Sequence, residues 1–377
     1  MFDLLSIPIA LLTPIYIFFI LASFVGLFRL RYPGNKRRFS VSVIVPVRNE
    51  EEKIGRCLDS LLAQDYPDNL LEIIVVDDGS QDRTAQVVES YQEKGVRLIK
   101  GALSGKKAAV DLGIRHSKGE IILTTDGDCI PPPTWVKGMV EGFNPDIGMV
   151  AGRTEFSKAS EKSLFHKLQS LEFLGIVAAE AGAIGIGFPA TCNGSNLAYR
   201  REAYMEAGGV DYRNPLLSGD DDLLMHTIKR KTSWKIAFSV APETFIQTEP
   251  VDGLGAFLSQ RIRWASKAAH YPSKGLIVVL SLIFIYFLLL LVSLPPTLIS
   301  PAKFSTPLIS FLLKSGVELT VVMRGSVLFK RRDLLPYYPI AQLFHVPYIV
   351  VVSVLGFLGR FDWKGRNQAR MRRERQV

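Results

Sequence analysis

Three observations predict an α/β domain carried on membrane helices. Strand-like and helix-like segments alternate through the middle of the chain, acidic residues stand where the strand-like runs end, and uncharged apolar stretches occupy both flanks. The 377 residues suffice for one large domain plus extra segments.

From about Phe39 to Trp264 the elements follow in order. Val41 to Val47 is a short β-branched run, and Ile54, Cys57, Leu58, Leu61 and Leu62 then repeat at helical spacing. Leu71 to Val76 is a second strand, ending in Asp77-Asp78-Gly79-Ser80, and a polar helix from about Asp82 to Glu93 follows. Val96 to Ile99 is a third strand and Lys106 to His116 a further helix. Glu120 to Thr125 is a fourth strand, ending in Asp126-Gly127-Asp128. Such alternation implies a mostly parallel sheet covered on both faces, with ligands at the carboxyl ends of its strands. Pro46, Asp77-Asp78 and Asp126 to Asp128 all fall at such ends. The Gly/Ala-rich stretch Ala179 to Gly187 reads either as a small-residue helix against the membrane or as a loop over a site.

Leu4 to Phe28 carries no charged side chain, about the ~20 residues a membrane span needs. It lacks a basic start and a small-residue cleavage site, so a retained anchor is expected rather than a signal peptide. Arg29, Arg31, Lys36, Arg37 and Arg38 follow at once, which puts the domain in the cytosol by the positive-inside rule. Three further candidates are Gly275 to Leu294, Phe304 to Leu328 with Lys314, Glu318 and Arg324, and Leu335 to Leu358 with His345. If all three cross, the basic tail ends opposite the domain, against the charge rule; one of them can instead be re-entrant or lie flat. Three or four crossings are expected. The expected layout is an anchor over 1–30, a cytosolic domain over 31–270, a membrane region over 271–360 and a basic tail over 361–377.

The net charge of +9 is concentrated beside the apolar runs, which suits anionic membrane lipids. No nucleic-acid motif accompanies it, so no nucleic-acid partner is expected. The 3 cysteines are widely spaced and form neither a disulfide framework nor a zinc pattern.

The acidic clusters carry the chemistry. Asp126 and Asp128 flank a glycine, a spacing that suits Mg²⁺, which binds one or two carboxylates plus substrate phosphates, and equally a solvated turn. Asp77 or Asp78 can accept hydrogen bonds from a base or ribose, or cap the next helix. Asp220, Asp221 and Asp222 open a helix whose N-terminus stabilises carboxylates, one of which can act as general base. Gln260, Arg263 and Trp264 suit either an interfacial helix or a diphosphate and sugar contact.

The ordered set is more specific than any member. Pro46-Val47-Arg48-Asn49-Glu50, Asp77-Asp78-Gly79-Ser80, Gly105-Lys106-Lys107, Asp126-Gly127-Asp128, Gly194-Ser195-Asn196, Gly219-Asp220-Asp221 and Gln260-Arg261-Ile262-Arg263-Trp264 follow one another. Together they resemble the inverting family-2 glycosyltransferases, which include cellulose, chitin and hyaluronan synthases and ceramide glucosyltransferase. The resemblance implies a GT-A nucleotide-diphospho-sugar fold with a Rossmann-like mixed sheet and flanking transmembrane helices. It implies that Pro46, Asn49 and Glu50 line the base pocket, that Asp77 or Asp78 holds base and ribose, and that Lys106 sits near the donor. Asp126 would touch the donor and Asp128 would ligate Mg²⁺ or Mn²⁺. Asp221 matches the catalytic base, with the register against Asp220 uncertain by one residue. Gln260, Arg263 and Trp264 match the motif beside acceptor and diphosphate. Arg48 departs from the usual aromatic, and Asp220-Asp221-Asp222 from the usual Glu-Asp.

The resulting expectation is an inverting, multi-pass inner- or plasma-membrane enzyme. It is expected to move a sugar from a nucleotide diphosphate donor, a UDP-sugar, to a polysaccharide or membrane-lipid acceptor. Processive and single transfer stay open, and no protein partner is named. The rival from another class is a non-catalytic nucleotide-sugar sensor or scaffold, which would be expected to lose the metal or base carboxylates.

Overall fold

A computed structural model describes residues 3–31, 34–101, 105–209, 221–300 and 305–358, with the short pairs 362–363 and 366–367. The chain opens with α1 (Asp3–Arg29), then β1 (Val41–Val47), α2 (Ile54–Leu62), β2 (Leu71–Asp77), α3 (Thr84–Glu89), β3 (Val96–Lys100), α4 (Lys106–Arg115) and β4 (Ile121–Thr124). It continues with α5 (Trp135–Glu141), β5 (Ile147–Ala151), β6 (Thr154–Phe156), α6 (Leu164–Gly185), β7 (Leu197–Arg200), α7 (Arg201–Glu206) and α8 (Asp222–Lys231). Then come β8 (Lys235–Phe238), β9 (Ile246–Thr248), α9 (Leu254–Ala265), α10 (Lys274–Ile299), α11 (Ser305–Leu328) and α12 (Tyr338–Leu358).

Seven strands form one sheet in the order β3-β2-β1-β4-β7-β5-β8. β3, β2, β1 and β4 are mutually parallel, whereas β7 runs antiparallel to both β4 and β5. Strands buried on both faces need apolar residues at successive positions, and β1 shows why. Val43 and Val45 join the cluster containing α2 and Trp135, while Ile44 joins the opposite cluster with Ala109, Val110 and Ile114 of α4. Pro46 lies two residues beyond the last β1–β4 pair, Ile44 with Thr124, where a central-strand proline is tolerated.

The register decides what meets at the rim. Val47 pairs with Asp77 and Ile44 with Thr124, so β1, β2 and β4 end side by side. Because β7 is reversed, its first residue, Leu197, lies opposite Thr124. The preceding loop therefore joins the same rim, where Thr124 Oγ1 donates to the Gly194 carbonyl at 3.0 Å.

Among the described residues five helices are long and apolar enough to cross a membrane: Leu5–Arg29, Leu164–Gly185, Lys274–Thr297, Ser305–Leu328 and Arg332–Leu358. Four match sequence candidates, and Leu164–Gly185 is additional. Ala179 to Gly185 is helical, the end of α6, packed against α1. A Cβ on Gly182 would lie 2.2 Å from the Ser23 carbonyl oxygen, and one on Gly185 2.2 Å from that of Gly26. Such close backbone approach requires small residues.

The segment before α12 contacts the sheet domain, and the second half of α12 packs on α6 and α9. Before it, Arg331 pairs with Glu161, and Arg153 donates to the Phe329 carbonyl at 2.6 Å. Midway, Tyr348 donates to Glu172 at 2.7 Å. Near its end, a Cβ on Gly356 would sit 2.9 Å from the Ala265 Cβ. Inside the apolar bundle, Lys314 contacts Glu318 at 2.8 Å, Gln342 at 2.9 Å and His345 at 2.8 Å, and Tyr16 donates to Glu318. The i,i+4 pairing of Lys314 with Glu318 is thus part of a network joining α1, α11 and α12.

Candidate active site

The loops after β1 and β2 are stitched together by polar groups. Asn49 adopts a left-handed φ of 51°, a conformation asparagine tolerates. Its Oδ1 accepts Gln81 N at 2.8 Å, and its own N–H donates to Ser80 Oγ at 3.0 Å. Glu50 N donates to Thr84 Oγ1 at 2.7 Å. Asp77 accepts from the Ser80 N–H at 3.0 Å and from its hydroxyl, capping its own turn. Asp78 instead accepts the Gly105 N–H at 3.0 Å. Arg48 is buried and donates to the Asp78 and Gly79 carbonyls at 2.7 and 2.9 Å. An aromatic at this position would supply neither bond.

Asp78 thereby reaches α4, whose first residue crosses the rim: Lys106 Nζ lies 2.7 Å from Asp126 Oδ1. Asp126 and Asp128 are half-buried on the loop after β4. The contact of the Asp128 carboxylate is a weak one, with Cys129 Sγ at 3.8 Å. Among the described residues no three His, Cys, Asp or Glu side chains converge as a metal-binding group. The two half-exposed carboxylates nevertheless fit a hard cation that takes its remaining oxygens from a diphosphate and water. Beneath them, burial and then the charges of Asp128 and Asp126 push the Cys57 and Cys129 thiols up, which leaves them inert.

Asp221 is the N-cap of α8, its carboxylate accepting the Asp222 N–H at 2.8 Å and the Gly194 N–H at 3.3 Å. The reversed β7 thus carries Asp221 to the rim where Asp78 and Asp126 stand. Lys267, between α9 and α10, contacts both Asp221 oxygens at 3.0 and 3.1 Å and Asp222 Oδ2 at 2.8 Å. Burial opposes the Asp221 anion, but Lys267 and then Lys106 outweigh it and hold the carboxyl below its usual range. Asp222 is fully buried and fully used, accepting Thr191 Oγ1 at 2.9 Å, Cys192 N at 2.8 Å and Tyr271 OH at 2.9 Å. Asp220 lies outside the described residues.

The α9 motif divides. Arg261 is buried against Glu172 and over the Trp264 ring, 4.2 Å from its centroid. Trp264 also packs on Phe173 of α6, with centroids 5.7 Å apart. Gln260 accepts from Arg261, and Arg263 is half-buried. Sequence reading missed Lys267 and Tyr271. A lysine between an interfacial helix and an apolar run carries the same signal as any membrane-flanking cation.

A doubly covered α/β sheet with an acidic rim, one strand reversed to complete it, defines a GT-A-like domain. Residues 42–208 match the model described as Glycosyl transferase family 2. The glycosyltransferase AglE of Haloferax volcanii is 30% identical over 227 residues, 59% of this chain and 71% of that protein. The poly-beta-1,6-N-acetyl-D-glucosamine synthase of Staphylococcus epidermidis is 25% identical over 240 residues, and the match spans only 53% of its length. In fold the chain resembles mannosyltransferase PcManGT of Pyrobaculum calidifontis, solved with GDP-Man and Mn²⁺, at a TM-score of 0.58 and 20% identity, covering 94% of this chain and 99% of that one. The chain belongs to glycosyl transferase family 2.

Proposed function

We propose that this enzyme transfers a sugar, with inversion, from a nucleotide diphosphate donor to an acceptor hydroxyl presented at the membrane surface. The observation that carries the reading is the shared rim: Asp78, Lys106 with Asp126, and Asp221 with Gly194 line one edge of the sheet. Pro46, Asn49, Glu50, Asp77 and Asp78 surround the base and ribose in this reading. Asp126 and Asp128 would hold Mg²⁺ or Mn²⁺, whose charge would offset that of the departing diphosphate. Asp221 takes the proton from the acceptor hydroxyl as its oxygen bonds to the anomeric carbon and the bond to the diphosphate breaks. Gln260, Arg263 and Trp264 stand on the acceptor side. The relatives named above act on polysaccharide in one case, and PcManGT binds GDP-Man with Mn²⁺, which supports a nucleotide-sugar donor and a divalent cation.

A membrane-borne acceptor is favoured over a soluble one by position. Lys267 and Tyr271 hold Asp221 and Asp222 and immediately precede α10, which starts at Lys274. The catalytic domain faces the cytosol in this reading. The anchor is 1–30, the domain 31–270, the membrane region 271–360 and the tail 361–377.

Purified protein in detergent, incubated with Mn²⁺ and UDP-glucose, UDP-N-acetylglucosamine or GDP-mannose, tests the activity by nucleotide release. Release with one donor that disappears in Asp221→Asn supports the reading. Binding of a donor with no turnover under any acceptor extract would favour the sensor instead.

A further inference from the structure

We propose that Lys267 is a positioning residue for the transfer step: anchored on buried Asp222, its ammonium group aims the Asp221 carboxylate and supplies its counter-charge. This rests on reading Asp221 as the base.

The geometry makes Asp222 the fixed point. Four donors from two stretches of the chain converge on it: Thr191 and the Cys192 N–H from one, Lys267 and Tyr271 from the other. Its carboxylate has no freedom left to meet an acceptor. Lys267 is held by it and in turn spans both oxygens of Asp221. Asp221 sits one residue earlier, at the cap of α8, with lighter restraint: one N–H at 2.8 Å and one at 3.3 Å. Lys106, the second positive charge that favours the Asp221 anion, is itself paired with Asp126 at 2.7 Å.

The electrostatic need is plain. Asp221 is buried, and the groups acting on it besides Lys267 are Asp222 on α8, Glu180 on α6, Lys106 on α4, Cys192 and Tyr271. A desolvated carboxylate beside two more carboxyl groups takes up a proton at higher pH. A protonated Asp221 cannot take the proton of the acceptor hydroxyl. Lys267 prevents this, and because it lies just before α10 the base is also tied mechanically to the membrane helix. The sign follows: with Lys267 present the anion persists down to a pH below the ordinary carboxylate value; without it, activity is lost at higher pH as the carboxyl protonates.

The test uses the full chain in detergent and nucleotide release from whichever of UDP-glucose, UDP-N-acetylglucosamine or GDP-mannose the parent turns over. Lys267→Met should lower kcat about 10-fold or more at mildly acid pH and move the acid limb up by about one pH unit or more, with donor KM unchanged. Lys267→Arg should restore the parental profile. The double variant Lys267→Met/Asp222→Asn removes one charge of each sign, so it leaves the net charge of the buried site unchanged if the single variant does not fold, and should show the same displaced limb. An acid limb at the parental pH in the Met variants overturns the proposal. So does faster turnover, which would make Lys267 a latch on the base. Failure of the base reading is separate: Asp221→Asn would then turn over at the parental rate whatever stands at 267.

Discussion

Asn196 ties the rim of the site to the core, and its removal has a calculable cost. The side chain is fully buried, with Oδ1 accepting Trp135 Nε1 at 2.9 Å and Nδ2 donating to the Arg153 and Thr244 carbonyls at 2.6 and 2.7 Å. In Asn196→Ala the Arg153 carbonyl keeps a second donor, Ile246 N at 3.0 Å. The Trp135 indole N–H and the Thr244 carbonyl keep none among the described residues. Each buried group left unsatisfied costs about 1–3 kcal/mol, so the two together cost about 2–6 kcal/mol. For a domain of this size that is a fall of roughly 5–20 °C in Tm. Asn196→Asp preserves the acceptor for Trp135 but sets a second carboxylate oxygen against two carbonyl oxygens, and should be at least as harmful. The assay is thermal unfolding in detergent followed by tryptophan fluorescence, since Trp135 loses its partner in the Ala variant. Midpoints within about 2 °C of the parent for both variants would refute the hydrogen-bond accounting.

Three further outcomes are expected. Asp221→Asn should slow transfer about 10²–10⁴-fold while leaving donor binding intact, measured as nucleotide release alongside calorimetric titration with donor. Asp128→Asn should abolish the strengthening of donor binding by Mn²⁺; equal donor affinity with Mn²⁺ and with EDTA in the parent would refute a metal role for this residue. Gly182→Leu places a side chain where the Ser23 carbonyl oxygen is 2.2 Å away, so α1 and α6 must separate. Its expected reading is a loss of monodisperse protein on gel filtration in detergent, whereas Gly255→Leu, whose Cβ would meet nothing within 4 Å, should elute as the parent does.

Much of the candidate site is legible in the sequence because its residues sit at strand ends. A strand buried on both faces writes a continuous apolar run, and the first polar residues after it mark the rim. Asp78, Asp126 and Asp128 were visible this way, and the helix opening at Asp221 was visible from its spacing to Leu224 and Ile228. Arg48 departs from the family pattern, but its hydrogen bonds to the Asp78 and Gly79 carbonyls depend on a loop about 30 residues away. Leu164–Gly185 escaped as a long apolar helix because Lys167, Glu172 and Glu180 break its apolar run. The pairing that accommodates Glu172, with Arg261 and Tyr348, comes from elements about 90 and 176 residues further on.

By itself the chain determined much of its local alphabet: the first four strands and the helices between them, four of the five long apolar helices, and which carboxylates end the strands. Those are short-range consequences of side-chain period and burial. Only the tertiary structure decided that β7 runs backwards, bringing Gly194 and Asp221 to the rim of β1, β2 and β4. It alone decided that Asp222 is an anchor while Asp221 is held by Lys267, and that α12 returns to the domain at its far end. Strand direction, ion-pair partners and helix docking depend on contacts between residues tens to hundreds of positions apart, and no local pattern encodes which distant partner is met.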